Sequence, residues 1–375
     1  MIQFIALLLS AAAVSTTTYA PAPALPPLSA KAWLLLDISA NHLIVQNNVK
    51  ERMEPASLTK LMTAYLSFTA LKDGRLKRDQ VVPVSAKAWK TGGSRMYIEP
   101  QRKVTVEELL NGMIVQSGND ASVALAEAIS GSEDAFALLM NKEAKRLGMN
   151  DTNFVNSHGL PDAKHYSSAY DIALLAAAII REFPDFYPLY SLKEYRYNNI
   201  TQQNRNRLLW LDPNVDGMKT GHTDSAGFCL VASSKRGPRR LLSVVMGTAS
   251  DNVRTQESQT LLNFGFQFFD TVQLHEKGKP ISSLRVWKGS SNELKAGVDS
   301  DLFVAIPKGT NDKIKAELSS QQPLLAPIVK GQRIGTLKVA YDGREVSEYP
   351  VVALEEVALA GWFGRALDTV RLWIK

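Results

Sequence analysis

The tightest constraint on the fold is a pattern in which β-type runs stand at the two ends of one long segment and helical patterns fill the middle. Residues 31–38 (KAWLLLDI) and 43–47 (LIVQN) are apolar runs around Ser39-Ala40-Asn41 and read as a β-hairpin. Residues 216–220, 227–234 and 240–248 read as three further strands, with Gly237-Pro238 turning between the last two. Between the two groups, helical periodicity covers 57–72, ending near Asp73-Gly74. It also covers a stretch opened by Thr105 ahead of Glu107 and Glu108, then 119–130, 132–147 with a stop at Gly148, and 168–182 ahead of Pro184. Residues 79–104 read as short strands broken by Gly and Pro, and a last helix is expected over about 255–269. The economical arrangement is α+β: one antiparallel sheet built from the hairpin and the three late strands, with the helical block packed beside it.

A chain of 375 residues suggests two domains. From about residue 272 the pattern changes to short β-type runs (Leu302 to Ile306, Arg333 to Tyr341, Tyr349 to Leu354) separated by turn residues, which predicts a small all-β domain over 272–354. The formal net charge of +6 is mild, and basic residues are scattered. No Cys/His metal spacing, nucleic-acid signature or Gly-rich phosphate loop occurs, so neither a cofactor nor a nucleic-acid partner is expected. Cys229 is the single cysteine, which rules out an intrachain disulfide, and its apolar surroundings (Gly227 to Ala232) mark it as a buried strand residue.

Both ends carry targeting character. Residues 4–14 (FIALLLSAAAV) form an apolar core too short for a spanning anchor, followed by small residues and Ala22-Pro23-Ala24; this predicts a secretory signal peptide over 1–24. No Lys or Arg precedes the apolar core, a departure from the usual pattern, and cleavage after Ala20 would leave a proline behind the cut. At the other end, Val357 to Lys375 has a helical period. Arg365, Asp368, Arg371 and Lys375 fall in one sector, with Leu359, Trp362, Phe363, Ala366, Leu367, Val370, Trp373 and Ile374 opposite. Such a helix, here taken as 355–375, suits a membrane interface; the competing reading docks it on the protein's own core.

The chemistry begins at Pro55-Ala56-Ser57-Leu58-Thr59-Lys60. Positions three apart share a helix face, so Ser57 and Lys60 lie side by side if a helix opens there, and a neutral lysine is a base for a serine hydroxyl. Two further triplets follow in order: Ser117-Gly118-Asn119 at a helix start and Lys219-Thr220-Gly221 on an expected strand. Each is weak alone; the three together mark serine β-lactamases and penicillin-binding proteins. With RMEPASLTK, IVQSGND, NSHGL and DGMKTGHTDSAGF, the segment from about 30 to 270 resembles the low-molecular-mass penicillin-binding proteins that are D-alanyl-D-alanine carboxypeptidases.

The resemblance implies a penicillin-binding-protein-like catalytic domain over 25–271, peptidoglycan stem peptides as substrate, and β-lactam antibiotics as inhibitors. It also implies an exported enzyme held at the periplasmic face of the inner membrane by its C-terminal helix. It assigns Ser57 as nucleophile and Lys60 as base, with Lys219 as the cationic neighbour that lowers its pKa. Ser117 relays a proton to the leaving amine, and Asn119 holds Lys60 and the substrate amide. Lys219 and Thr220 bind near the terminal carboxylate, Gly221 lets the substrate backbone approach, and Arg254 is a further carboxylate-binding group. The oxyanion hole is made by the N–H groups of Ser57 and His222. His158 lines the site or serves its loop; Asp216 and Asp224 read as turn or structural carboxylates. The rival activities are a D,D-endopeptidase, a β-lactamase and a β-lactam sensor. Residues 150–156 (NDTNFVN) hold no glutamate to activate a deacylating water, which predicts fast acylation by penicillin and slow release.

Overall fold

The computed structural model describes residues 24–373. The expected signal peptide, 1–24, therefore lies outside the described residues apart from Ala24, as do Ile374 and Lys375. The described chain forms two compact units, one of residues 24–38 and 43–267, the other of residues 39–42 and 268–373.

In the larger unit, β1 (Ala32–Asp37) and β2 (His42–Asn47) are the N-terminal strands. The five-stranded sheet runs β2, β1, Arg239–Thr248, Gly227–Arg236, Val215–Thr223. β1 pairs antiparallel with Arg239–Thr248, Leu34 opposite Val244 and Leu36 opposite Leu242, so the two ends of the segment are stitched together as the pattern requires. Val215–Thr223 is the edge strand, and this leaves one side of its backbone for something other than the sheet. Gly265 in the helix Asp251–Phe268 lies flat on this sheet: an added Cβ would come within 2.6 Å of Leu241 and 2.7 Å of Leu35.

At the centre of the helical block is α1 (Lys60–Lys72), whose residues from Lys60 to Phe68 are all buried. A helix apolar on every side belongs inside other helices, and α1 packs against Val106–Val115, Asn119–Ser130, Glu133–Arg146 and Ala169–Glu182. The start at Thr105 is a full capping box: Thr105 Oγ1 accepts from the Glu108 N–H and the Glu108 carboxylate accepts from the Thr105 N–H.

Two local expectations differ. Between residues 79 and 104 only Val81–Val82 and Val104–Thr105 pair as strands; Ala86–Lys90 is a short helix, capped by Ser85 Oγ accepting from the Ala88 N–H. A hairpin unforeseen in the pattern, Glu194–Tyr197 with Ile200–Gln203, turns through Asn198 and Asn199, both at positive φ.

Apart from one 3-10 turn and the terminal helix, the second unit is built of strands. Phe269–His275 pairs with Leu302–Pro307, and six further strands form a sheet in the order Ile314–Ser320, Arg333–Tyr341, Arg344–Ala353, Glu293–Gly297, Pro280–Trp287, Leu324–Leu325. Both pack into one apolar core that includes Val304, Ile306, Leu337, Val339 and Val351. The terminal helix starts at Trp362 rather than near Val357, because Val357 and Leu359 make β-bridges to Ile328 and Gly289.

Candidate active site

Ser57 sits in a 3-10 turn, Ala56–Thr59, that runs straight into α1 at Lys60. The turn is held from behind. The His165 Nδ1 accepts from the Val155 N–H at 3.1 Å, so the ring hydrogen is on Nε2, which donates to Thr59 Oγ1 at 2.7 Å. Thr59 in turn donates to the Ala56 carbonyl at 2.8 Å. Burial pulls the His165 pKa down to about 4, so this chain keeps a neutral ring at ordinary pH. Ala56 itself is at φ +47°, a left-handed conformation that costs a non-glycine residue energy and is found where a site demands it. Gly159 abuts the same turn; a Cβ there would lie 1.8 Å from the Ala56 oxygen.

Lys60 is buried, and its Nζ has three partners: Ser57 Oγ at 3.0 Å, Asn119 Oδ1 at 2.7 Å and the His158 carbonyl at 2.6 Å. Burial, followed by the charge of nearby Arg205 and not, as expected, of Lys219, lowers its pKa to about 7 against a smaller opposing pull from Asp120. A neutral amine has two hydrogens and one lone pair. Asn119 Oδ1 and the His158 carbonyl can only accept, so they take the hydrogens and the lone pair is left for the Ser57 hydroxyl. The amide of Asn119 cannot turn away, because its Nδ2 donates to the Gly92 carbonyl at 2.7 Å.

Ser117 also has left-handed backbone, φ +66°, and its buried Oγ has no hydrogen-bond partner among the described residues. It lines a cavity of about 360 Å³ together with Ser57, Thr220, Gly221, His222 and Arg254. A buried hydroxyl beside a cavity can bond a ligand or a water held there. Lys219, on the edge strand, is buried and donates to the Thr220 carbonyl at 3.1 Å; burial and then the charges of Lys60, Arg205 and Arg254 hold its pKa well below the usual lysine value. Arg254, from the helix Asp251–Phe268, donates to the Gly221 carbonyl at 3.0 Å and the Cys229 carbonyl at 3.3 Å and pairs with Asp251. It thus fixes the strand as well as facing the cavity. Gly221 is small for the chain's own sake: a Cβ would meet the Pro55 carbonyl at 3.1 Å and Ala56 at 3.3 Å.

A second cavity, of about 380 Å³, also reaches Ser57 and adds Asn119, His158 and Thr223 to its walls. Arg205 lines both cavities and pushes on both lysines, a role that no motif or spacing announces in the sequence. His158 acts here through its carbonyl; its ring accepts from the Leu160 N–H and faces Glu133 at 3.4 Å. Glu133 lines neither cavity and is engaged by Lys87 at 2.9 Å and by the Ser157 N–H and hydroxyl. Asp216 is structural: Arg240 holds both its oxygens at 2.6 Å and the Tyr187 hydroxyl donates to it. No group of three or more His, Cys, Asp and Glu side chains fit to hold a metal occurs among the described residues.

Comparison with known proteins agrees with this geometry. The sequence pattern of the D-alanyl-D-alanine carboxypeptidases matches residues 17–250, and that of the penicillin-binding protein 5 C-terminal domain matches residues 269–359. The chain is 41% identical over 358 residues to the D-alanyl-D-alanine carboxypeptidase DacA of Escherichia coli K12, covering 93% of this chain and 89% of that one. It is 42% identical over 356 residues to DacA of Haemophilus influenzae, covering 93% and 91%. Among solved structures, penicillin-binding protein 5 from Haemophilus influenzae superposes with a TM-score of 0.85 at 42% identity, over 89% of this chain and 98% of that one. Penicillin-binding protein D2 from Listeria monocytogenes in its ampicillin-bound form matches with a TM-score of 0.59 at 29% identity, over 64% and 98%. With its sheet, its helical block, its β-rich second unit and these matches over most of its length, the chain belongs to the D-alanyl-D-alanine carboxypeptidase family.

Proposed function

We propose that Ser57 carries out the family's hydrolysis on this chain, removing the last D-alanine of a peptide ending in D-Ala-D-Ala. The observation that carries this reading is the Lys60 amine: buried, poised near pKa 7, both hydrogens committed and its lone pair left for Ser57. Lys60 takes the Ser57 proton as Oγ bonds to the carbonyl carbon of the penultimate D-alanine, and the backbone N–H groups of Ser57 and His222 receive the oxyanion. The proton passes to the departing amine by way of the Ser117 hydroxyl, the C–N bond breaks, and free D-alanine leaves an ester on Ser57. Thr220 and Arg254 supply the hydrogen-bonding, positive wall for the terminal carboxylate, with Lys219 buried beside Thr220 and donating to its carbonyl. Water then attacks the ester with Lys60 as base, and the shortened peptide departs. Penicillin enters by the same acylation; among the described residues no carboxylate lines either cavity except Asp251, which is paired with Arg254, so no second base assists Lys60 and the penicilloyl ester is expected to turn over slowly.

The domain scheme follows: a signal segment at 1–24, the catalytic domain over 25–271, the β domain over 272–354 and an anchor over 355–375. The helix Trp362–Trp373 supports a membrane-surface role at the periplasmic face of the inner membrane. Its one buried residue is Asp368, which accepts from the Lys288 N–H at 2.6 Å, whereas Phe363 is 72% exposed and Trp373 91% exposed. A helix docked by its apolar side would show the reverse. No described helix is long and apolar enough to cross a membrane. The deciding experiment is incubation with a synthetic peptide ending in D-Ala-D-Ala, measuring free D-alanine with and without penicillin; no release, or release indifferent to penicillin, would end this reading.

A further inference from the structure

The two cavities that meet at Ser57 differ in charge balance. The one that includes Ser117, Thr220 and Arg254 contains an acid, Asp251, which pairs with Arg254 and Arg207. The other is lined by Arg95 and Arg205, with Gln202 and Tyr97 beside them, and no Asp or Glu is among its described wall residues. Neither arginine has a carboxylate within ion-pair distance among the described residues. Arg95 spends one guanidinium N–H on the Trp89 carbonyl, while its buried Nε finds no acceptor. Arg205 is exposed to the cavity mouth. A buried guanidinium N–H without an acceptor is costly, and a planar fork of donors is matched by a carboxylate.

The direction of the substrate follows from the reading of the site given above, on which this inference rests. The leaving D-alanine lies beside Ser117 and Thr220, which line the first cavity alone, so the retained part of the peptide occupies the second. We propose that this second cavity is an anion subsite, in which Arg95 and Arg205 recognise a carboxylate carried by the peptide upstream of the penultimate D-alanine. The terminal carboxylate and this second one would then bracket the scissile bond. Two positions in a branched stem peptide can present such a group: the side chain of the third residue from the end, when that residue is a diamino diacid, and the α-carboxylate of a γ-linked glutamate before it.

The test compares kcat/KM of the full chain on matched peptides ending in D-Ala-D-Ala. One pair carries the third-residue side chain as carboxylate or carboxamide, and a second pair does the same for the γ-linked glutamate. The ratio within a pair is the readout, so a variant with altered basal activity is still informative. We expect a carboxylate advantage of about tenfold for at least one pair, and the pair that shows it identifies the source. The advantage should fall towards one in Arg95→Gln, return in part in Arg95→Lys, and invert in Gln202→Glu, which places a negative charge on the same wall. A ratio of one in the parent protein overturns the subsite, as does an advantage that survives in Arg95→Gln and Gln202→Glu. Failure to hydrolyse any of the peptides would instead remove the carboxypeptidase reading itself, and the subsite with it.

Discussion

The two units of this chain solve the problem of burying side chains in opposite ways. The interior of the larger one holds Lys60, Lys219, Arg254, Glu133, Asp120, His158 and His165. Between residues 268 and 373 the one buried charged side chain among the described residues is Asp368. A buried charge is tolerated only when paired or neutralised, and each in the larger unit has such an explanation. Lys60 and Lys219 sit on depressed pKa values, Arg254 is satisfied by two carbonyls and Asp251, and Asp120 accepts from the N–H groups of Met96, Tyr97, Ile98 and Ala121. That last contact pins the loop which supplies Ser94 and Arg95 to the cavities. The difference teaches where chemistry resides: the β unit buries apolar side chains around one core, whereas the larger unit also keeps reactive groups buried and partnered.

The contrast is broken most sharply at Ser57. Replacement Ser57→Ala is expected to cut D-alanine release by about 10⁴-fold or more with the fold intact; release that persists, followed by a D-alanine assay, would move the nucleophile elsewhere. Next comes Lys60. Lys60→Met should cost about 10³-fold in kcat/KM, and the parent rate should climb as pH rises through about 7, where the amine loses its proton. The same group has a stability signature. Its folded pKa lies below its unfolded value, so between about pH 7 and pH 10 the unfolded chain holds the extra proton and this lysine's contribution to stability rises with pH. Denaturation of parent and Lys60→Met should therefore show the parent at its relative worst near pH 6, recovering by a few kcal/mol towards pH 10; parallel curves would contradict the buried-amine picture.

Smaller effects sharpen the other half of the comparison. Asn119→Ala frees the Lys60 amine and the Gly92 carbonyl together, and a loss of about 10²-fold in acylation by penicillin is expected. Leu337→Ala in the β core should destabilise that unit by about 2–4 kcal/mol, yet leave hydrolysis of short peptides within about twofold. A chain ending at Leu354 should match the parent on short peptides and differ in co-sedimentation with anionic vesicles, which only the longer chain should join; equal sedimentation would remove the anchor.

Much of this was legible in the residues, for identifiable reasons. The sheet and its helices follow from strong periodicity, and the Thr105 capping box and Gly237-Pro238 turn punctuate it. Ser57, Lys60, Ser117, Asn119 and Lys219 are marked by short motifs, because a 3-10 turn, a helix start and a strand each keep the residues proposed for the site within a few positions. Arg205 and the His158 carbonyl escape for the converse reason. The first lies on a loop without periodicity, and the second is a main-chain atom that any residue could supply. Likewise the His165–Thr59–Ala56 chain joins residues that only the fold brings together. The Asn198-Asn199 hairpin was a missed signal rather than an absent one.

The pairing of β1 with Arg239–Thr248 also sets a schedule for manufacture. The first strand leaves the ribosome with its partner still about 200 residues from being made, a wait of about 10–40 s at ordinary rates of synthesis. Until that partner arrives the N-terminal hairpin has no sheet to join, and the strand bearing Lys219, which reaches β1 only through the two strands between them, has no fixed position opposite Ser57. A nascent chain that stops short of residue 248 therefore carries the serine and the lysine without the wall they work against. The proposed nucleophile, Ser57, gains the Lys219 strand opposite it only when the last strand of the sheet has been delivered.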